Sequence, residues 1–422
     1  MPGYAIAERH HAAPEPGVSP SFGSFQLCSA FQPIVCLTHQ KVVGYEALAR
    51  ARDAGRTVSP ARLFNEAERL SQAATLDQQL NELHVATFAR HNPAVWLFLN
   101  INRYSIQNET FDPESFAQNL RGLGLMPQQL VLEVVEDPVA NDAHLAEFIE
   151  RAKALDFRIA IDDFGAGDSN FERVWRLAPH IVKIDRNMLV NGTRHRRARQ
   201  LLLSLVNLLR ESGSLVLIEG VETEEEADLA FLTNADMFQG FYFAKPDPGL
   251  AEAPTIQQQL QHFTLQHHQT GWLRSEAHQD FLKLLRFEVL AACHELARAE
   301  PMADACQGLL QLPAVKRCFL LDFRGVQQGE IISRHAGVRR EPFFNPLYQS
   351  SGACWSHRDY YRNAVDHPHQ IHMSRPYVAL PDAERTVTLS AVCYTRSGNH
   401  VLCVDLHPDD IFDGQLGFPA TL

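Results

Sequence analysis

The sequence predicts a closed eight-stranded α/β barrel, a (β/α)8 arrangement, followed by a helix and a smaller α+β domain. Three observations predict it. Strand-like apolar runs alternate with stretches of helical spacing, and up to Pro246 the runs number about eight, the count that closes such a barrel. Most of these runs lead into an acidic, amide or amine residue. Beyond Met302 short β-like runs dominate instead, a change of pattern that marks a second domain.

The elements follow in order. Phe25–Val35 is the first run, and Lys41–Tyr45 leads into Glu46. Arg62–His91 has helical spacing, after which Val95–Leu99 leads into Asn100. Phe116–Arg121 reads as a helix before Gln129–Leu132 and Glu133. Ala143–Leu155 precedes Phe157–Ile161 and the pair Asp162-Asp163, and His180–Val182 leads into Lys183. Ala198–Arg210 precedes Ser214–Ile218 and Glu219, and Glu224–Leu232 precedes Asp236 and Met237. The last run, Phe238–Ala244, contains Gln239. Functional side chains of a barrel sit at the carboxyl ends of its strands, so these distant residues are expected at one mouth.

That mouth would be strongly acidic. It collects Glu46, Glu133, Asp162, Asp163, Glu219 and Glu222, with Lys183 and Arg50 as the nearby cations. Two carboxylates about 4 Å apart repel by roughly 4 kcal/mol at an effective dielectric of about 20, so protons or metal ions must fill the cluster. Carboxylate oxygens and one amide oxygen, without cysteine or histidine, favour Mg²⁺ or Mn²⁺ over zinc. Room for two cations points to displacement at phosphorus by water, with one carboxylate shared between the ions.

These residues resemble a known signature. Gln32-Pro33-Ile34, Glu46-Ala47-Leu48-Ala49-Arg50, Asn100, Glu133 with Glu136, Asp162-Asp163-Phe164-Gly165-Ala166-Gly167, Lys183-Ile184-Asp185, Glu219-Gly220-Val221-Glu222 and Gln239-Gly240-Phe241 are similar to the ordered motifs of the EAL domain. The resemblance implies a TIM-like barrel and a phosphodiesterase that opens cyclic di-GMP to linear pGpG. It further implies that Glu46, Asn100, Glu133 and Asp162 hold one ion, and that Asp162, Asp163 and Glu219 hold the second. Lys183 would orient or help deprotonate the attacking water, the base being either Lys183 or Glu219. Gln32, Arg50 and Gln239 would contact the ligand, Arg50 through a fork suited to phosphate. Glu136 would support the loop after Asp163, and Asp185 and Glu222 would support the ligands from behind. The chain departs from the family at Asn102, Ala166, Asp168, Asn170 and Ile218, none of which is an implied ligand. The changed loop after Asp163 bears on closure and hence on rate.

Composition fits this reading. The 422 residues carry a net charge of −12, which argues against a nucleic-acid polymer as partner. No apolar run is long enough to cross a membrane and the start lacks a secretion pattern, so a cytoplasmic protein is expected. Eight cysteines without a metal-like Cys-x-x-Cys pair fit reduced thiols.

The expected domains are an arm over residues 1–24, the barrel over 25–250, a linker helix over 251–300 and a sensor or regulatory domain over 301–422. The last contains β-like runs at Cys318–Phe323, Gly329–Ser333, Arg375–Leu380, Thr386–Tyr394 and His400–Leu406, an antiparallel sheet with helices on one side. It resembles a PAS-like or Cache-like fold, with Trp355, Arg358-Asp359-Tyr360-Tyr361, Tyr377 and Asp405 placed like Cache ligand-facing residues. His367-Pro368-His369 and His372 read as a solvated loop rather than a metal site. Self-association into a homodimer is expected from the family resemblance and the long helix. The alternative to a hydrolase is a barrel that only binds cyclic di-GMP or a partner protein without turnover.

Overall fold

The computed structural model describes residues 20–91, 94–135, 142–167, 171–250, 253–334, 350–379, 382, 384–396 and 398–408. They belong to two compact units, Met1–Leu265 and Gln266–Leu422. Glu136, Asp168 and Asn170 lie outside the described residues.

Ten strands form one sheet in the first unit: β1 Ser21–Phe22, β2 Phe25–Cys36, β3 Lys41–Asp53, β4 Arg56–Val58, β5 Trp96–Ile101, β6 Leu130–Val135, β7 Arg158–Phe164, β8 Ile181–Ile184, β9 Leu215–Ile218 and β10 Met237–Gln239. Their order is β1-β2-β10-β9-β8-β7-β6-β5-β3-β4, and the pairing of β2 with β3 closes eight strands into a barrel. From β3 through β10 the barrel neighbours are parallel. β2 is antiparallel to both β3 and β10, so the barrel is mixed. The cause is connection length. Residues 37–40 join β2 to β3, far short of the dozen or so that a parallel crossover needs.

Two expected elements differ. The stretch Arg62–His91 forms two helices, Pro60–Arg69 and Ala73–His91, broken where Ser71 takes a left-handed φ of 55°. The last strand stops at Gln239 instead of running to Ala244, because Gly240 packs against the Val221 backbone and the chain turns. Tyr242 N donates to Val221 O across that turn at 2.9 Å.

The barrel interior explains the mouth. Ile34, Phe98, Val131, Ala160, Ile181, Leu217 and Met237 form one buried cluster inside it. Gly44 takes the corresponding place on β3, where a side chain would meet the Phe98 ring at 2.8 Å. Each apolar plug residue stands two positions from a candidate site residue: Ile34 from Gln32, Phe98 from Asn100, Val131 from Glu133, Ala160 from Asp162, Ile181 from Lys183, Leu217 from Glu219, Met237 from Gln239. Side chains two apart on a strand share a face, so the polar set forms the next layer above the plug. Outward residues such as Leu97, Leu132, Ile159, Val182, Val216 and Phe238 pack in the main core instead.

The second unit is built on a six-stranded sheet, with strands β11 Val315–Asp322, β12 Gln327–Ser333, β13 His372–Met373, β14 Tyr377–Ala379, β15 Glu384–Thr395 and β16 Gly398–Leu406. All its pairings are antiparallel. Helices cover both faces rather than one. Leu285, Val289 and Ala292 of the helix Ala253–Ala297 pack with Leu389, Leu402 and Val404. The helix Asp359–Asp366 places Tyr360, Tyr361 and Ala364 against Phe319, Val401 and Cys403. β16 is apolar at both parities from Val401 to Val404, which demands cover on each side. Tyr360 stacks on Tyr377 with ring centroids 6.0 Å apart, and Asp405 accepts from Arg317 Nε at 2.6 Å and from Thr388 Oγ1 at 2.7 Å. His372 is buried in β13 rather than solvated.

Candidate active site

Strand geometry brings the predicted acids together around one lysine. Lys183 Nζ lies 2.5 Å from Glu219 Oε1, 2.6 Å from Glu133 Oε1, 2.9 Å from Asp162 Oδ1 and 3.8 Å from Glu46 Oε1. Lys183 is 1% exposed and Glu133 0%. Lys183 sits third in the four-residue strand β8 rather than after its end, which carries the ammonium inside the ring.

Amides complete the ring on the Glu46 side. Asn100 Nδ2 donates to Glu46 Oε1 at 2.9 Å, and Gln239 Nε2 donates to Glu46 Oε2 at 2.6 Å and to Gln32 Oε1 at 3.2 Å. Gln32 Nε2 in turn donates to Ala244 O at 3.2 Å. Gln239 is therefore a buried partner of Glu46 in this structure, and Gln32 a buried partner of Gln239. Arg50 lies on the same face of β3 as Glu46, four residues nearer the strand's carboxyl end, with Nη1 donating to Ala49 O at 2.9 Å.

Asp162 and Asp163 pose a geometric problem, since successive strand residues point to opposite faces. The backbone solves it. Register shifts between Ile161 and Phe164 in the pairing with β8, and Asp163 takes a left-handed φ of 56°. Aspartate tolerates that conformation better than most residues, and strain of this kind persists where surroundings enforce it. As a result Asp162, Asp163 and Glu219 each present an oxygen within 4.8 Å of the others, the only such group of three or more metal-capable side chains among the described residues.

The electrostatics follow from burial and crowding. Burial drives the Glu133 carboxyl well above the usual carboxylate range, with Lys183 opposing and the other acids reinforcing. Burial also pushes Glu219 up to about 8, against Lys183 and with Asp162 and Glu46. Asp163 is raised by burial and by Asp162. Burial works against a charge on Lys183, yet Asp162, Glu133, Glu219 and Glu46 outweigh it and hold the ammonium. One cation faces more acid than it can balance. Both Glu133 oxygens, Asp162 Oδ1 and Gln239 Oε1 are buried without a hydrogen-bond partner, although Lys183 stands at ion-pair distance from two of them. Orphaned oxygens of this type fit hard divalent ions.

Some supporting residues carried no obvious signal. Asp77, buried on the helix Ala73–His91, accepts from Ser105 Oγ at 2.6 Å and Asn102 N at 3.2 Å, so it ties down the chain just after Asn100. Arg186 pairs with Glu222, and Glu226 Oε2 accepts from Glu222 N at 2.7 Å, which fixes the turn after Glu219. Asp185 caps the helix Arg186–Arg194 by accepting from Asn187 N at 2.9 Å. Asp185 and Glu222 are supports that the sequence motifs name; of Asp77, Arg186 and Glu226, only Arg186, adjoining Lys183-Ile184-Asp185, was findable from its place in a motif.

Comparison with known proteins agrees with this architecture. NbdA of Pseudomonas aeruginosa, a cyclic di-GMP phosphodiesterase, is 30% identical over 53% of this chain and 29% of its own length. PdeI of Escherichia coli, a probable cyclic di-GMP phosphodiesterase, is 27% identical over 53% of this chain and 29% of its own. The chain thus spans about a third or less of these curated relatives. The crystal structure of Bacillus subtilis YkuI, with an EAL domain and in complex with substrate c-di-GMP and calcium, superposes with a TM-score of 0.72 at 22% identity. That likeness of fold covers 90% of this chain and 96% of YkuI. The sequence model of the EAL domain matches residues 19–246, the whole closed barrel with its ring of acids, and the chain belongs to the EAL-domain family.

Proposed function

We propose that the barrel is a divalent-metal-dependent phosphodiesterase that hydrolyses cyclic di-GMP to linear pGpG, under the control of the C-terminal unit. The observation that carries this reading is the ring itself: four carboxylates of separate strands within 3.8 Å of one buried ammonium. Its orphaned oxygens support Mg²⁺ or Mn²⁺ as occupants, held by Glu46, Asn100, Glu133 and Asp162 at one position and by Asp162, Asp163 and Glu219 at the other. When bound, such ions would supply the positive charge that an acidic mouth needs to accept a dianionic cyclic dinucleotide.

The remaining chemistry belongs to the chain. Lys183 Nζ, centred among the four carboxylates, is placed to orient the attacking water. Glu219 is the better placed of the ring acids to receive that water's proton, since it lies 2.5 Å from Lys183 Nζ and its side chain is 19% exposed against 0% for Glu133. Arg50, higher on the same strand face as Glu46, offers a forked donor to a phosphate. Gln239 holds Glu46, Gln32 holds Gln239, and both border the same layer.

The test uses the purified chain with cyclic di-GMP and Mg²⁺ or Mn²⁺, following pGpG by chromatography. Glu46→Ala and Asp162→Ala are each expected to lower turnover by at least about a hundredfold. Binding without turnover by the unaltered chain would overturn the reading in favour of a receptor.

A further inference from the structure

The second unit gathers most of the cysteines. Cys293, Cys306, Cys318, Cys393 and Cys403 all belong to it, and Cys306, Cys318, Cys393 and Cys403 are buried. They meet as pairs. Cys393 Sγ lies 2.7 Å from Cys293 Sγ, 100 residues away in sequence, and Cys306 is hydrogen-bonded to Cys318. No three described sulfurs come together closely enough to form a metal cage, so the arrangement is one of thiol pairs.

We propose that Cys293 and Cys393 form a reversible disulfide that fastens the helix Ala253–Ala297 to strand β15. A disulfide needs its sulfurs roughly 2.05 Å apart, so the pair must close by less than about 1 Å. Their chemistry is asymmetric. Cys293 is half-buried on the helix and is the thiol an oxidant reaches, whereas Cys393 is 1% exposed, its thiol pushed up by Cys293 and by burial. In the presence of a peroxide, the Cys293 thiol gives up its proton and its sulfur attacks one peroxide oxygen; the O–O bond breaks and the departing oxygen takes that proton, giving a sulfenic acid and water or an alcohol. Cys393 then attacks that sulfur, the S–S bond forms as the S–O bond breaks, and the hydroxyl leaves as water with the Cys393 proton. The two thiols lose two electrons and the peroxide gains them.

The Cys306–Cys318 pair does not offer this route. Both sulfurs have no exposure, and a buried thiol without access is inert to oxidants. Cys354 is exposed but stands apart from the pairs, so it serves as an internal marker of oxidant dose.

The experiment treats the purified full chain with hydrogen peroxide, alkylates remaining thiols, digests with trypsin and examines non-reduced peptides by mass spectrometry. Cleavage gives Phe287–Arg298 and Thr386–Arg396, each with one cysteine, so a cross-link between them is unambiguous. The expected result is that linked peptide within a chain that still runs as a monomer on a non-reducing denaturing gel. Dithiothreitol removes it, and both Cys293→Ser and Cys393→Ala abolish it. Cys354→Ser leaves it intact. The oxidised chain is also expected to show a raised unfolding temperature for the second unit, a rise lost in Cys293→Ser. Three outcomes overturn the proposal: both peptides recovered alkylated once Cys354 is oxidised, Cys293 found as sulfinic acid with Cys393 still free, or a link formed only between two chains. None of these outcomes depends on turnover in the barrel, so this inference and the proposed activity fail separately.

Discussion

Replacing Lys183 by methionine removes the ammonium and keeps most of the side-chain volume. Glu219, Glu133 and Asp162, each within 2.9 Å of Nζ, then face one another without a countercharge. Removing one partner of a buried ion pair costs about 3–5 kcal/mol. At about 2–4 °C per kcal/mol for a unit of this size, that corresponds to a fall in unfolding temperature of roughly 6–20 °C. The loss should depend on pH. Glu133 and Glu219 have raised carboxyls, so at pH 5.5 protons neutralise them and the fall is smaller than at pH 8. Thermal unfolding of the wild-type chain and Lys183→Met in EDTA, at both pH values, measures this. A fall under about 2 °C at pH 8, or one of equal size at the two pH values, refutes the reasoning.

Other expectations follow from the same geometry. A carboxyl raised to about 8 in the fold contributes stability that is complete below the ordinary carboxylate range and is lost as pH rises through about 8. The metal-free wild-type chain is therefore expected to unfold at lower urea concentration at pH 9 than at pH 6, with Mg²⁺ restoring more at pH 9; a flat profile contradicts this. Gly240→Ala forces a side chain into the Val221 backbone and is expected to abolish soluble expression or cooperative unfolding, as circular dichroism would detect. Asp77→Ala strands Ser105 Oγ and Asn102 N and is expected to cost about 1–3 kcal/mol by urea denaturation, with reduced turnover because Asn100 adjoins that turn.

Much of this architecture was written in residue order. The ring was legible because its members each follow a strand-like run; that the apolar residue two positions from each is the barrel plug is what the structure adds. Asp162-Asp163 was legible as a pair, whereas the left-handed Asp163 that turns both toward one mouth depends on pairing with β8, which no local pattern encodes. The antiparallel β2 was implicit in the short connection to β3, a length signal that outweighs the repeating alternation of strand and helix. The end of β10 was not legible, since an apolar run continues past Gln239 and only the approach of the Val221 backbone to Gly240 stops it. In the second unit, apolar residues at both parities of β16 announce two covered faces, whereas the pattern of runs alone implied helices on one side. Cys293 and Cys393 lie 100 residues apart, and nothing in their spacing pairs them.

The central claim is that the acidic ring works as a divalent-ion site for cyclic dinucleotide hydrolysis. Its most direct measurement is product formation by the EDTA-stripped chain as Mg²⁺ or Mn²⁺ is added back to saturating cyclic di-GMP. The account predicts no pGpG without ions and accumulation that rises with the ion to a plateau. Undiminished cleavage in EDTA, or continued ligand binding with no pGpG at any ion concentration, would contradict it.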